Sequence, residues 1–260
     1  MSVWFNGDKK SLRRTVNMPS SCAAFTACGF IKVVNAQPGT EPHIFFGQSI
    51  GGAHAETLFL GGASGLELKC GDSWGSSNSP TVATLTAGGA ALTNWNFVGI
   101  RGTAAGANGL KVTHKPVGAG SIAHQTVTNS PGTSALEAIQ LGDLPFGTTY
   151  WADILMAHWM IYDRALSDAE MLTQSGQSTP VSGTNLISYH SFADSNIATA
   201  VVPNTGNGTW GYFTAAPTTS TDNPSFIFNP VFSGTATLPS SLPSTLSNGV
   251  PPFLANLFRD

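Results

Sequence analysis

The chain has 260 residues, a formal net charge of −3 and only 10% charged residues, against about 25% in a typical soluble domain. Eleven lysines and arginines are too few for the basic surface that nucleic-acid phosphates require, and no apolar stretch reaches the roughly 18 residues of a membrane-spanning helix. Because 41% of the residues are hydrophobic, including six tryptophans and fifteen phenylalanines, the chain can form a packed core despite its low charge. We expect a folded protein with a neutral, hydroxyl-rich surface, no nucleic-acid partner and no membrane span.

Residues 1–24 are assigned to an N-terminal segment. It has no apolar stretch behind a basic one, so no secretory signal peptide is predicted. The cysteines of the chain, Cys22, Cys28 and Cys70, lack the paired CxxC spacing of a zinc site. We predict that they are buried thiols.

Short apolar or alternating runs follow one another from residue 25 to residue 143, broken about every 8 to 12 residues by clusters of Gly, Pro, Asn and Ser. These clusters supply the positive or fixed φ angles of tight turns. The spacing is typical of a β-sandwich or barrel. The predicted strands are Phe25–Val34, His43–Gln48, Glu56–Leu60, Gly65–Cys70, Thr81–Thr86, Asn94–Arg101, Leu110–His114, Ser121–Val127 and Leu136–Leu141.

The next segment, Asp153–Tyr162 ("DILMAHWMIY"), is a long apolar run whose periodicity alone does not separate strand from helix. The residues that follow it are more informative. Ser167 is placed as an N-cap, Glu170 completes a capping box three residues later, and Gly176 stands at the far end. We therefore predict a strand followed by one short helix.

The β pattern ends with an alternating run, Leu186–Phe192, and a Gly-Asn turn that leads into a strand near Phe213. Residues 214–260 then contain seven of the sixteen prolines and only three charged residues. This composition cannot form its own core, yet it is too apolar for a free linker. We predict an extended C-terminal arm that lies on its own sandwich or on a neighbouring subunit, with a disordered tail as the alternative.

The segment Ala152–Met171 ("ADILMAHWMIYDRALSDAEM") resembles the closing strand and helix of concanavalin A-like, laminin G-like jelly rolls. The segments Asn94–Gly102 ("NWNFVGIRG") and 109–120 ("GLKVTHKPVGAG") resemble the tryptophan-led central strand of that family and the strand and turn after it. The resemblance covers residues 25–213 and implies an all-β, antiparallel jelly-roll β-sandwich with one short helix. The matching positions of the first segment are Ala157, Tyr162, Asp163, Arg164, Ala165, Leu166, Ser167 and Glu170.

A third resemblance departs from the family in two ways. The segments "LISYHSFADSN" and "VVPNTGNGTW" are similar to an opening strand and its D-x-S-G-N-G turn, but Asn204 stands where the turn has Asp, which weakens the transfer of a cation site. The segment also follows the helix instead of preceding the first strand, which leaves open a circularly rearranged sandwich or an appended strand pair. Near the helix, Asp163 and Arg164 are expected to form a local ion pair or to cap the turn.

Catalytic constellations are not evident in the sequence. Glycoside hydrolases on the same jelly roll place two or three carboxylates at alternate positions of one strand, and no E-x-D-x-E pattern occurs here. The most closely spaced carboxylates, Asp163, Asp168 and Glu170, fall on the predicted turn and helix. No two of the six histidines have the i, i+4 spacing of a helical zinc motif. We therefore do not expect an enzyme.

Candidate ligand-binding residues lie in predicted loops. The resemblance leaves calcium open as a cofactor, and calcium needs several oxygen ligands gathered from loops, for which Asp72, Asp143 and Asp194 are candidates. A glycan instead needs a flat ring that stacks on a sugar face, with polar groups at its rim. Trp74 in "CGDSWGSSNSP" and Trp210 in "GNGTWGYF" are in such settings, and with Asp72 they form the predicted ligand-binding set. The alternative for each tryptophan is a ring folded onto the sandwich edge.

These features favour a non-catalytic structural and adhesive protein of a virion surface, which decorates a bacteriophage capsid or belongs to the tail. The sandwich would present a surface for glycans. The arm would hold neighbouring subunits, so an oligomer is expected. The alternatives are a free, extracellular carbohydrate-binding lectin or adhesin module and, less favoured, a glycoside hydrolase.

Overall fold

A computed structural model describes residues 2–6, 12–14, 18–38, 40–49, 55–71, 81–85, 95–128, 131–142, 152–190, 192, 199–200, 208–209, 211–212 and 218–220. The strands, in chain order, are β1 (Ser2–Asn6), β2 (Leu12–Arg14), β3 (Phe25–Val33), β4 (His43–Ser49), β5 (Ala55–Gly61), β6 (Glu67–Gly71), β7 (Thr81–Thr84), β8 (Asn96–Gly102), β9 (Leu110–Pro116), β10 (Ala123–Val127), β11 (Leu136–Leu141), β12 (Asp153–Tyr162), β13 (Leu186–His190), β14 (Thr199–Ala200), β15 (Gly208–Thr209), β16 (Gly211–Tyr212) and β17 (Thr218–Ser220). Helix α1 (Asp168–Gln174) lies between β12 and β13.

Two antiparallel sheets form a sandwich. The eight-stranded sheet has the order β10-β9-β8-β3-β12-β1-β17, and β13 also pairs with β12. The seven-stranded sheet has the order β16-β2-β11-β4-β5-β6-β7. The predicted fold class, an antiparallel jelly-roll sandwich with one short helix, is confirmed.

The core lies between the sheets because alternate residues of each strand point inward. In β8, Val98 and Ile100 join the core, and Leu58 of β5 meets them from the other sheet. The outer face of the eight-stranded sheet carries a second apolar cluster, which includes Phe97 of β8 and Met171 of α1. The helix therefore covers part of this outer face.

All nine strands predicted between residues 25 and 141 are present, each with bounds within two residues of the prediction. The prediction succeeded because period-2 alternation and Gly- or Pro-containing turns occur together in this region. The helix prediction is confirmed as well. Ser167 is the N-cap, and its capping box with Glu170 is complete.

Strands from outside the predicted sandwich also join the sheets. β1 and β2 belong to the segment 1–24, and β1 pairs with β12 with Val3 opposite Met156. β17 belongs to the predicted arm 214–260 and pairs with β1; the rest of the arm lies outside the described residues. β14 and β15 form a separate two-stranded pair, whereas the strand that begins at Leu186, β13, pairs with β12. In the ranges that the structure describes, no helix is long and apolar enough to span a membrane.

A β-bulge in β12 decides which side chains enter the core. Ala157 lies opposite Phe30 and Met160 lies opposite Cys28, so His158 and Trp159 together oppose Gly29. His158 has a positive φ of 49°, the left-handed conformation found at the first residue of a G1-type bulge. Because of this shift, Trp159 points into the core and is 1% exposed.

The three cysteines are buried and form no disulfide, as predicted. Burial raises the pKa of the Cys28 thiol to about 12. Burial, reinforced by the neighbouring Glu56 carboxyl, raises the pKa of Cys22 to about 12. These thiols therefore stay protonated and unreactive at neutral pH.

Candidate functional site

The five predicted site residues, Asp72, Trp74, Asp143, Asp194 and Trp210, all lie outside the described residues. Their assignment to ligand or calcium binding therefore stays a prediction. Among the residues that are described, no group of three or more His, Cys, Asp or Glu side chains is placed to hold a metal ion.

Three described glycines adjoin the predicted residues. Gly71 ends β6, Gly142 follows β11, and Gly211 begins β16. In the seven-stranded sheet, β6 lies three places from β11 and five places from β16. At about 4.8 Å per strand, β6 therefore lies about 14 Å from β11 and about 24 Å from β16.

The outer face of the seven-stranded sheet is closed at its centre. Phe46 and Thr57 lie side by side on this face, and Gln140 is opposite Phe46. His43 stacks on Phe59 with the ring centroids 5.2 Å apart, and burial lowers the pKa of this imidazole to about 4. All five side chains are at most 1% exposed, so they offer no surface to a ligand.

The turn between β12 and α1 is held by a strand distant in sequence. The Thr26 hydroxyl of β3 donates to the Arg164 carbonyl and accepts from the Leu166 N–H, each at 2.9 Å. A single hydroxyl therefore satisfies a donor and an acceptor in this turn and places the start of the helix on the sheet.

The two charged residues of this turn do not pair with each other. The Arg164 guanidinium forms two hydrogen bonds with the Glu170 carboxylate, at 3.1 and 2.6 Å. The Asp163 carboxylate accepts from the N–H and the hydroxyl of Ser20. Of the two alternatives expected for Asp163 and Arg164, the ion pair is therefore wrong, because neighbouring side chains point in different directions and each finds a partner elsewhere.

A second polar network joins α1 to β8, β9 and β10. Arg101, which is 1% exposed, donates to the Leu166 carbonyl at 2.6 Å and to the Asp168 carboxylate at 2.8 Å. Its guanidinium also lies 3.2 Å from the Thr113 hydroxyl and 3.2 Å from Nδ1 of His124. Burial, the largest influence, lowers the pKa of His124. The neutral imidazole can therefore accept a hydrogen bond from the guanidinium.

Two carboxylates of the helix make the stability of the protein sensitive to acid. Partial burial acts to raise the pKa of Asp168, but hydrogen bonds from Lys111 and Arg101 outweigh it and lower the pKa from 3.8 to about 2. A hydrogen bond from Arg164 lowers the pKa of Glu170 from 4.5 to about 2. Because both values are lower in the folded state, the stabilisation is complete above pH 4.5 and is lost as the pH falls towards 2.

We therefore expect the free energy of unfolding, measured by urea denaturation, to fall as the pH is lowered from about 5 to about 2. Each carboxylate should contribute no more than about 1 kcal/mol, since solvent screens both. The Glu170→Gln variant should be less stable at neutral pH and less sensitive to acid. A Glu170→Gln curve that runs parallel to that of the unmodified protein would contradict this account.

A partly exposed tryptophan lies on the outer face of the eight-stranded sheet, beyond the helix. Trp4 of β1 is 36% exposed and is opposite Leu155 of β12. Its indole Nε1–H donates to Oδ1 of Asp153 at 2.8 Å. The other oxygen of this carboxylate accepts from the side-chain amide of Asn35. We call Trp4, Asp153 and Asn35 the tryptophan platform.

Sequence reasoning did not identify this platform. Trp4 and Asp153 are 149 residues apart in the chain, and local periodicity carries no information on pairing at that distance. One signal was available. The run Val3-Trp4-Phe5 consists of residues that are enriched in strands, which would have placed Trp4 in a sheet but not beside Asp153.

No protein-family model matches this sequence, and no curated protein is similar to it. Solved structures resemble the fold. The heptameric SAP-like pentraxin of Limulus polyphemus is 15% identical with a TM-score of 0.45, over 67% of this chain and 81% of that one. Domains LG4-5 of the mouse laminin α1 chain are 14% identical with a TM-score of 0.43, over 62% of this chain and 41% of that one.

Tailspike protein 2 of the Escherichia coli O157:H7 bacteriophage CAB120 is 14% identical with a TM-score of 0.49, over 76% of this chain. This chain covers only 29% of that tailspike. The fold class, an antiparallel β-sandwich with one short helix, is shown by the two sheets of the structure itself. Similarity at this level concerns the fold and transfers neither a ligand nor an activity.

Proposed function

We propose that this chain is a non-catalytic adhesive protein of a bacteriophage virion, on the capsid or the tail, which binds a surface glycan through its sandwich. The observation that carries the proposal is the way the chain uses its carboxylates. In the described ranges, six carboxylates accept hydrogen bonds from structural partners on other elements or turns. Such carboxylates are Glu67 with Thr81, Glu137 with Gln48, Asp153 with Trp4, Asp163 with Ser20, Asp168 with Arg101, and Glu170 with Arg164.

This usage argues against glycoside hydrolysis. A glycosidase needs a carboxylic acid whose pKa is raised towards neutrality, so that it can protonate the leaving oxygen. The pKa values of Asp168 and Glu170 move the other way, to about 2. Both groups are ionised at neutral pH and cannot act as general acids.

The composition of the chain supports the virion part of the proposal. A chain with only 10% charged residues carries few groups that repel a neighbouring subunit, which suits close packing in an assembly. Assembly through the arm 214–260 stays a prediction. A free extracellular lectin or adhesin module is the second candidate. The exposed Trp4 ring supports both candidates equally, because such a ring can bind a ligand on a virion or on a free protein.

We expect the purified full chain to bind glycans on an array without cleaving them. The bound glycans should release no reducing sugar after prolonged incubation with the protein. Release that follows the protein through purification would show that the non-catalytic assignment is wrong. Antibodies against the chain that label intact phage particles in electron micrographs would favour the virion over the free lectin, and unlabelled particles would favour the lectin.

A further inference from the structure

We infer that the tryptophan platform is a binding site for a neutral pyranose, with Trp4 as the stacking surface. This inference rests on the proposed function and names its site and ligand class. It differs from the sequence prediction, which assigned ligand binding to loop tryptophans.

The Trp4 ring is held in place and still accessible. In the described part of the chain, Trp4 and Leu172 are the two large apolar side chains counted as exposed. The bond from Nε1 to Asp153 satisfies the one polar atom of the indole. Because the ring is tethered at this atom, little side-chain entropy is lost when a ligand stacks on its face.

The polar rim of the platform presents one acceptor, the amide oxygen of Asn35. A carboxylate can only accept, so the amide nitrogen of Asn35 must face Asp153. The amide oxygen of Asn35 is thereby directed away from Asp153, and this side chain is exposed. An apolar ring next to a fixed acceptor matches a pyranose, whose C–H face is apolar and whose hydroxyls donate from its edge.

The charge at the platform selects among sugars. Asp153 brings a negative charge close to the ring and is 8% exposed. Lys32 lies on the same face but is 1% exposed, so its ammonium group cannot donate a hydrogen bond to a ligand and only offsets part of this negative charge through the protein. A sugar that carries a carboxylate, such as a sialic or uronic acid, would be repelled here. We therefore expect neutral hexopyranosides to bind in preference to acidic ones.

The test uses the full chain on an array of neutral and acidic hexopyranosides, followed by titration calorimetry with the best neutral glycan. The Trp4→Ala variant, which removes the stacking ring, should bind at least about tenfold more weakly. Trp4→Phe, which keeps a ring, should retain more affinity than Trp4→Ala. Asn35→Ala should weaken binding by about threefold to tenfold through one lost hydrogen bond. The matched control is Leu172→Ala, which removes the other exposed apolar side chain and should leave affinity unchanged.

Circular dichroism and thermal unfolding of each variant establish that it is still folded. If a folded Trp4→Ala variant binds the glycan as the unmodified chain does, the platform is not the site, although the proposed function stands. A preference of the unmodified chain for acidic glycans would also overturn the inference. If the unmodified chain binds no glycan on the array, the proposed glycan-binding function fails, and the inference fails with it.

Discussion

Replacing Gly29 by alanine is expected to lower the free energy of unfolding by about 3 kcal/mol, a cost at the upper end for overpacking a well-filled core. A Cβ at this position would lie 2.3 Å from Cε3 of Trp159 and 3.1 Å from its Cα. Trp159 cannot move aside easily, because it is 1% exposed and the bulge fixes its backbone opposite Gly29. The clash therefore acts on the register of β12 as well as on one side chain.

The matched control is Gly120→Ala. A Cβ at Gly120 would have no atom within 4 Å, so the same added methyl group should change stability by no more than about 0.5 kcal/mol. The free energies of unfolding of the two variants are compared by urea denaturation, with far-UV circular dichroism as the signal. Equal stabilities of Gly29→Ala and Gly120→Ala would show that the bulge relaxes freely and that its packing does not constrain the fold.

The strands and the helix could be predicted because their signals are local. Alternation within β3 to β11 and the capping box of Ser167 and Glu170 each lie within a few residues of sequence, where periodicity and capping rules apply. The bulge at His158 has no comparable signal. It depends on the contact between Trp159 and Gly29, which lie on different strands, so Asp153–Tyr162 read as an uninterrupted strand.

The candidate site could not be predicted for a related reason. Its parts come from β1, β12 and the residues after β3, and they meet only when the sheet has formed its non-local pairs. Loop position and Gly-rich neighbours directed the prediction towards Trp74 and Trp210. Trp4 has neither feature, since it lies within a strand, and its exposure results from its position on the outer face beyond the helix.

Replacing Arg101 by methionine is expected to lower the free energy of unfolding by about 2 kcal/mol. The change leaves the buried Leu166 carbonyl without its 2.6 Å donor and removes the bond to Thr113. Nε of Arg101 is buried without a hydrogen-bond partner. The decrease in the free energy of unfolding is therefore smaller than it would be for a buried guanidinium with every donor satisfied. Methionine also keeps much of the apolar volume of the side chain.

The comparison with Lys111→Met separates burial from charge. Both variants remove one positive charge that contacts Asp168, at 2.8 Å for Arg101 and 2.6 Å for Lys111. The Lys111 side chain is 24% exposed and that of Asp168 is 50% exposed, so water can replace this interaction and the expected loss is about 0.5 kcal/mol. The N···O distances alone would predict the larger loss of stability for Lys111→Met.

Salt gives an independent check on the same pair of variants. At about 1 M salt the screening length falls to about 3 Å, which weakens interactions between exposed charges. The stability difference between Lys111→Met and the unmodified chain should therefore shrink, while that of Arg101→Met should persist, because it comes from hydrogen bonds to buried acceptors. If both differences shrink together, Arg101 stabilises the helix mainly through its charge, and the argument from burial is wrong.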